Sequence, residues 1–174
     1  MRIVAGKYKG KKITAPNNLP VRPTTNKAKE SLFNILNNRY YFDRKNVLDL
    51  FSGTGNISFE FSSRGVEHTT AVDSNNNCIN FIKKTSLELE LNITTLKSDC
   101  IKYLQSCNKQ FNIIYADPPY KYEEYQKIKQ IIFEKNLIKK GGCLIIEHDR
   151  STSFDYKNVE VRKYGTVHFS IFSF

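Results

Sequence analysis

Four consecutive residues, Asp117-Pro118-Pro119-Tyr120, combine groups that together suit one kind of chemistry. Two prolines fix the backbone, so the Asp117 carboxylate and the Pro118 carbonyl are expected as outward-facing acceptors. Tyr120 adds a flat aromatic face beside them. The exocyclic amine of a nucleobase is a poor nucleophile because its lone pair is delocalised into the ring. Acceptors that grip its hydrogens favour a pyramidal nitrogen whose lone pair can attack a methyl group in line. The tyrosine ring can stack on an extruded base and offset its unstacking cost. In isolation the same tetrapeptide is also a reasonable turn.

A second pattern is Asp49-Leu50-Phe51-Ser52-Gly53-Thr54-Gly55. Gly53 and Gly55 permit a tight turn and close backbone approach to a ligand. A dinucleotide fingerprint would need another glycine where Ser58 stands, and no Lys-Ser/Thr follows as in a phosphate-binding loop. An acid four residues before the first glycine instead suits a ligand that carries positive charge. S-adenosylmethionine has both an ammonium and a sulfonium. Asp73 closes the next apolar run, where an acid can accept both ribose hydroxyls or cap the following helix. Asp99, followed by Cys100, is placed for an adenine amine or, equally, for capping. His68, His148 and His168 lack matching partners and read as structural.

These residues need elements to hold them. From Asn46 the chain alternates apolar runs with helical periodicity. NVLDLF, TTAVD, ITTLKSD, FNIIYAD and CLIIEHD read as strands. Helices are expected over 56–64, about 75–91, about 101–106 and about 123–136, with Gly141-Gly142 opening the fifth strand. NVEVRKY and TVHFSIFSF meet at Gly165 with no room for a helix, so they must be antiparallel. The reading is an α/β, Rossmann-like fold of the class I methyltransferase plan: a seven-stranded, mostly parallel sheet with an antiparallel last strand. Each of the first four strands ends on an acid, namely Asp49, Asp73, Asp99 and Asp117, at the sheet end where such folds bind ligands. Ahead of this core, residues 1–15 read as a hairpin that reverses at Gly10. Thr24 or Thr25 then caps a helix running to about Asn38. One domain is expected over 1–174, with a basic extension in 1–45 and a cofactor-binding core in 46–174.

The formal net charge is +10 in 174 residues. Residues 1–45 hold eleven Lys or Arg against Glu30 and Asp43, a balance of +9 that leaves the remainder nearly neutral. Lys7, Lys9, Lys11 and Lys12 cluster around Tyr8. A solvated basic face is the plain reading of such a run, and a polyanion such as RNA is the partner it suits. Hydrophobic residues at 40% and charged residues at 25% exclude a disordered or fibrous chain. Cys78, Cys100, Cys107 and Cys143 show no zinc spacing and read as reduced, buried thiols. The N-terminus is too polar for a secretory leader, and no apolar run approaches the roughly 20 residues that cross a bilayer. A cytoplasmic protein without membrane contact is expected, and the sequons at Asn56 and Asn92 are chance matches.

DLFSGTG, AVD, SDC and ADPPY together resemble the S-adenosylmethionine-dependent amino-methyltransferases of nucleic acids. VAGKYKGKKI, RPTTNKAKESLFNIL, EHD and KYGTVHFSIF narrow the resemblance to the RsmD family of 16S ribosomal RNA guanine-N2 methyltransferases, across essentially the whole chain. The resemblance implies methyl transfer to the exocyclic N2 of one guanine, in the 30S subunit or an assembly intermediate, by a monomer that uses no metal. It implies a donor loop of Phe51, Gly53 and Gly55, with Asp49 toward the methionine end, Asp73 on the ribose, and Asp99 with Cys100 at the adenine. Asp117, which also borders the donor, would form the target-base site with Pro118, Pro119 and Tyr120. Arg22 and Thr24 would lie near the methionine carboxylate. Asn26, Lys27 and Lys29 depart from the acidic and Arg residues usual after R-P-T, which calls an ion pair there into question. Asp73 stands where Glu is common. Two other readings follow from the same residues: an adenine-N6 DNA methyltransferase, which 174 residues leave little room to equip with a target-recognition domain, and a non-catalytic ribosome-assembly protein.

Overall fold

A computed structural model of the chain describes residues 1–16, 19, 26–119 and 122–174. The elements run α1 (Asn26–Asn37), β1 (Asn46–Leu50), α2 (Asn56–Ser63), β2 (His68–Asp73), α3 (Asn76–Glu88), β3 (Ile93–Lys97), α4 (Cys100–Ser106), β4 (Phe111–Ala116), α5 (Tyr125–Glu134), β5 (Ile138–His148), β6 (Glu160–Tyr164) and β7 (Val167–Ser173). They form the expected seven-stranded sheet, in the order β3-β2-β1-β4-β5-β7-β6. The pairs among β1 to β5 are parallel, and β7 runs antiparallel to both β5 and β6. Strand order reverses between β1 and β4, which opens the crevice where doubly wound sheets bind ligands.

Alternate side chains of the central strands feed two cores. Leu48, Leu50, Ile114, Leu144 and Ile146 pack on one face with Leu104 of α4 and with Ile128 and Ile132 of α5. Val47, Ile113, Tyr115 and Ile145 pack on the other with Leu32 and Phe33 of α1 and with Ile57 and Phe61 of α2. Both faces are therefore covered, as the near-continuous apolar runs of the strands require. Several boundaries differ from expectation: α3 ends at Glu88 instead of about residue 91, β6 begins at Glu160 instead of residue 158, and β5 begins at Ile138, ahead of Gly141-Gly142. Its register against β4 slips between Phe111 and Ile113, so the glycine pair lies in an irregular stretch inside the strand.

The N-terminal arm, residues 1–16, reverses as expected but pairs with itself only locally. Arg2 and Lys12 form a single antiparallel bridge, flanked by Ile3 N to Lys11 O and Ile13 N to Met1 O, each 3.0 Å. The physical reason is that its next backbone groups are taken by α2. Val4 N and Ala5 N donate to the Glu60 carboxylate at 2.8 and 3.1 Å, and Lys7 N donates to Ser63 O at 2.7 Å. Gly6 makes this docking possible: a Cβ there would lie 1.8 Å from the Ser63 carbonyl oxygen. Ile3 and Ile13 complete a third core with Phe59, Ala71, Ile82 and Leu89.

Lys29 is fully buried beneath the arm. Its ammonium donates to Arg2 O at 2.7 Å and Asn56 Oδ1 at 2.8 Å and pairs with Glu60 at 3.3 Å. Glu60 also accepts from Arg64 Nε at 2.8 Å. An ion pair is thus present on α1 after all, and Lys29 supplies it. Among the described residues, no helix is long and apolar enough to cross a membrane.

Candidate active site

Register decides what meets at the crevice. Leu50 at the end of β1 pairs with Ala116 at the end of β4, so the glycine loop and the Asp117-Pro118-Pro119 loop leave the sheet side by side. Phe51 takes the first step at φ 61°, a left-handed conformation that costs a bulky residue on the order of 1–3 kcal/mol. Its ring meets the edge of Tyr122 at 5.1 Å between centroids, so the two loops also touch through aromatic side chains.

Asp73 ties the glycine loop down. Its Oδ2 accepts from Gly53 N and its Oδ1 from Asn75 N, each at 2.8 Å. The helix-capping role considered for Asp73 belongs to Asn75, whose side chain accepts from Asn77 N and Cys78 N at the start of α3. Gly55 caps α2 in the left-handed region at φ 77°, and a Cβ there would sit 2.8 Å from Ile82 and 2.9 Å from Phe59. No other residue fits this turn without moving the loop. The Ser52 hydroxyl is buried in the loop with no hydrogen-bond partner among the described residues.

Asp49 is 1% exposed and accepts from the Ser58 hydroxyl of α2. Burial pushes its carboxyl up to about 7, with the nearby Asp73 charge adding to the effect and the Ser58 hydrogen bond opposing it. Asp49 therefore braces β1 against α2 from behind the loop and does not present an open carboxylate to solvent. Asp99 is exposed and caps α4 by accepting from Lys102 N at 3.0 Å. Cys100 beside it is buried, and burial raises its thiol well above the usual range.

On the β4 side, Asp117 is half-buried, Pro118 buried and Pro119 exposed. The Pro118 carbonyl, expected as an outward-facing acceptor, already has one partner within the fold. The Tyr125 hydroxyl lies 3.4 Å from it and 3.4 Å from the Pro119 carbonyl, because α5 starts beneath the loop. Tyr120, Arg22 and Thr24 lie outside the described residues. The arm places Lys7, Lys9, Lys11 and Lys12 at the surface. His148 joins Ser170 at 2.8 Å and the Asp149 carbonyl at 2.7 Å, and His68 meets Asn92 at 3.0 Å, partners within the fold.

Four residues near the crevice carry no expected role. Tyr122 and Tyr125 surround the Asp117 loop, and their spacing just after D-P-P-Y is the only sequence signal for them. Tyr115, two residues before Asp117, donates to the buried Glu147 of β5. Burial pushes the Tyr115 phenol up, and Glu147, Asp117 and Asp49 push it further. An apolar-looking strand hid the tyrosine, and EHD was visible only as part of a resemblance.

Comparison with known proteins adds an independent line. The family model described as "Conserved hypothetical protein 95" matches residues 1–173. The ribosomal RNA small subunit methyltransferase D of Buchnera aphidicola (Baizongia pistaciae) is 31% identical over 152 residues, 87% of this chain and 77% of that protein. YlbH of Bacillus subtilis, which bears a provisional rRNA-methyltransferase name, is 36% identical over 155 residues, 86% of this chain and 83% of its own. The Thermus thermophilus protein TTHA0928 superposes with a TM-score of 0.86 at 22% identity over 98% of both chains. The methyltransferase-type structure SMU.776, solved with SAH, gives 0.66 at 17% identity over 84% of this chain and 49% of that one. A family model matched nearly end to end, with relatives above 30% identity, makes this chain a member of the RsmD family of ribosomal RNA methyltransferases.

Proposed function

We propose that the protein transfers a methyl group from S-adenosylmethionine to the exocyclic N2 of a guanine in 16S rRNA, in the small subunit or an assembly intermediate, acting as a monomer. The observation that carries this reading is the β1–β4 register, which sets the glycine loop beside Asp117 and Pro118. The donor suits the loop chemically. A buried Ser52 hydroxyl lacks a partner among the described residues, Gly53 and Gly55 leave backbone rather than side chains at the turn, Asp73 is bonded to the loop, and Asp99 lies just beyond β3. Asp73 keeps lone pairs for ribose hydroxyls while it holds Gly53 and Asn75. The chain is taken as one methyltransferase unit, with the arm in 1–45 meeting RNA phosphates.

S-adenosylmethionine, when bound, supplies an electrophilic methyl on a cationic sulfur. The chain's task is to present the amine. Asp117 accepts one of its hydrogens and the second lone pair of the Pro118 carbonyl accepts the other, which turns the nitrogen lone pair out of ring conjugation. Tyr120 stacks on the base. As the nitrogen gains its fourth bond, the methyl–sulfur bond breaks and its electron pair stays on sulfur as a neutral thioether. The Asp117 carboxylate meanwhile stabilises the positive charge growing on nitrogen and then takes the proton.

The test is radiolabelled methyl transfer to 30S subunits, naked 16S rRNA and DNA side by side, with the product base mapped. Label on N2 of a guanine in 16S rRNA is the expected result. Label on adenine N6 in DNA, or no transfer to any substrate, overturns the reading.

A further inference from the structure

Away from the crevice, the arm and α3 bound a groove of about 670 Å³. One wall carries Lys11 and Lys12 beside Ile13, Thr14, Pro16 and Leu19. The other is a stripe of α3 formed by Asn77, Asn80, Phe81 and Lys84, whose spacing puts all four on one helical face. Lys11, Lys12, Asn77, Asn80 and Lys84 are exposed, and Phe81 is half-buried with its ring edge-on to Phe59. Glu88 closes the far end and meets Lys84 at 3.9 Å. That pair is open to solvent and contributes little, so a phosphate can displace it. At its other end the groove reaches Asn77, which follows the Asp73–Asn75 turn that fastens the glycine loop. Its Asn77 end therefore lies at the same end of the sheet as the candidate active site.

Lysines on both walls, two amides able to meet base edges and an aromatic face within one cleft are the combination that holds single-stranded nucleic acid. The volume is that of a small-molecule site, too small for a duplex. We propose that this groove holds a single-stranded stretch of the RNA substrate next to the target nucleotide, with a base on Phe81 and phosphates between Lys84 and the Lys11–Lys12 wall. The assignment rests on the rRNA-methyltransferase reading and adds to it a second contact surface, separate from the residues that handle the methyl group.

The test measures binding of naked 16S rRNA and of a short single-stranded RNA oligomer by wild type, Lys84→Ala, Phe81→Leu and Phe81→Tyr, across a salt series. Lys84→Ala should weaken binding severalfold and reduce the slope of log affinity against log salt by about one. Phe81→Leu should weaken binding about tenfold, with Phe81→Tyr close to wild type, because only the ring can stack. Donor affinity and the thermal midpoint should stay at wild-type values in Lys84→Ala. Wild-type RNA affinity in Lys84→Ala and Phe81→Leu, or competition by duplex RNA as effective as by single strands, overturns the groove assignment. So does a defect seen with 30S particles but not with naked RNA, which would make the occupant a ribosomal protein. If wild type bound RNA through this groove yet methylated no RNA, the proposed function would fail while the groove stood.

Discussion

Replacing Asp49 by Asn should stabilise the protein, and by more the higher the pH. Asp49 is buried, and its carboxyl titrates at about 7 instead of the ordinary 3.8. In the unfolded chain the proton leaves near the ordinary value, whereas in the folded chain it stays on until about 7. The native state is therefore favoured at low pH and progressively disfavoured as pH rises from about 4 to about 7. The gap between 3.8 and about 7 corresponds to about 4 kcal/mol once both states are ionised. Asn keeps the size of the side chain and a carbonyl oxygen for the Ser58 hydroxyl, but carries no charge to desolvate. Denaturant unfolding followed by circular dichroism should show the Asn variant's advantage widening by about 2–3 kcal/mol between about pH 5 and about pH 8.5. The same logic reaches the donor. A cation bound over the loop would favour the ionised carboxylate, so wild-type donor affinity should rise through about pH 7 and the variant's should not. An unchanged gap at the two pH values, or a variant less stable at the higher one, would refute the reasoning.

Three other perturbations separate chemistry from architecture. Asp117→Asn should lower single-turnover methyl transfer by about 10²–10⁴-fold while donor and RNA dissociation constants stay largely unchanged, since it removes the proton acceptor but not the loop; a loss confined to RNA binding would contradict that role. Lys29→Met leaves the buried Glu60 facing Arg64 alone among its cations, and should cost about 3–5 kcal/mol and about 10 °C of thermal midpoint in calorimetry. Gly6→Ala forces a Cβ against the Ser63 carbonyl, so limited proteolysis should release the arm before cutting the core; equal resistance of arm and core would show that the turn can adapt.

How legible all this was in the sequence depends on the range of the interactions. Seven strands and the antiparallel last pair were readable because apolar runs, acids and glycines punctuate the chain locally, and the right-handed crossover leaves little freedom in assembling them. The start of β5 was misplaced because a glycine pair looks the same at a strand's start as inside an irregular stretch of it. At the site, the loops were legible but their internal bonding was not. Asp73 and Asn75 are two residues apart, and nothing local says which of them caps α3 and which reaches across to Gly53. Pairings such as Tyr115 with Glu147 or Lys29 with Glu60 join residues about 30 positions apart, so only the packed sheet brings them together.

The buried network under the arm also changes what its charge can mean. Counted by sequence, residues 1–45 carry a +9 excess available to a polyanion. Lys29 is not available: its ammonium is consumed by Arg2 O, Asn56 and Glu60. Glu60 in turn holds the backbone of Val4 and Ala5, so the lysines of the arm are fastened to α2 through two consecutive amides. That helix begins at Asn56, directly after Gly55 of the donor loop, and Asn56 itself takes a hydrogen from Lys29. A satisfied network of this kind is costly to open by halves, because each lost partner strands a buried charge. On the proposed reading, the arm is therefore not a tether that searches for RNA but a fixed wall, set at a constant distance from the loop that holds the methyl donor. RNA gripped by Lys7, Lys9, Lys11 and Lys12 is positioned by the same helix that positions the donor. A loose basic tail of equal charge would supply affinity without that geometry.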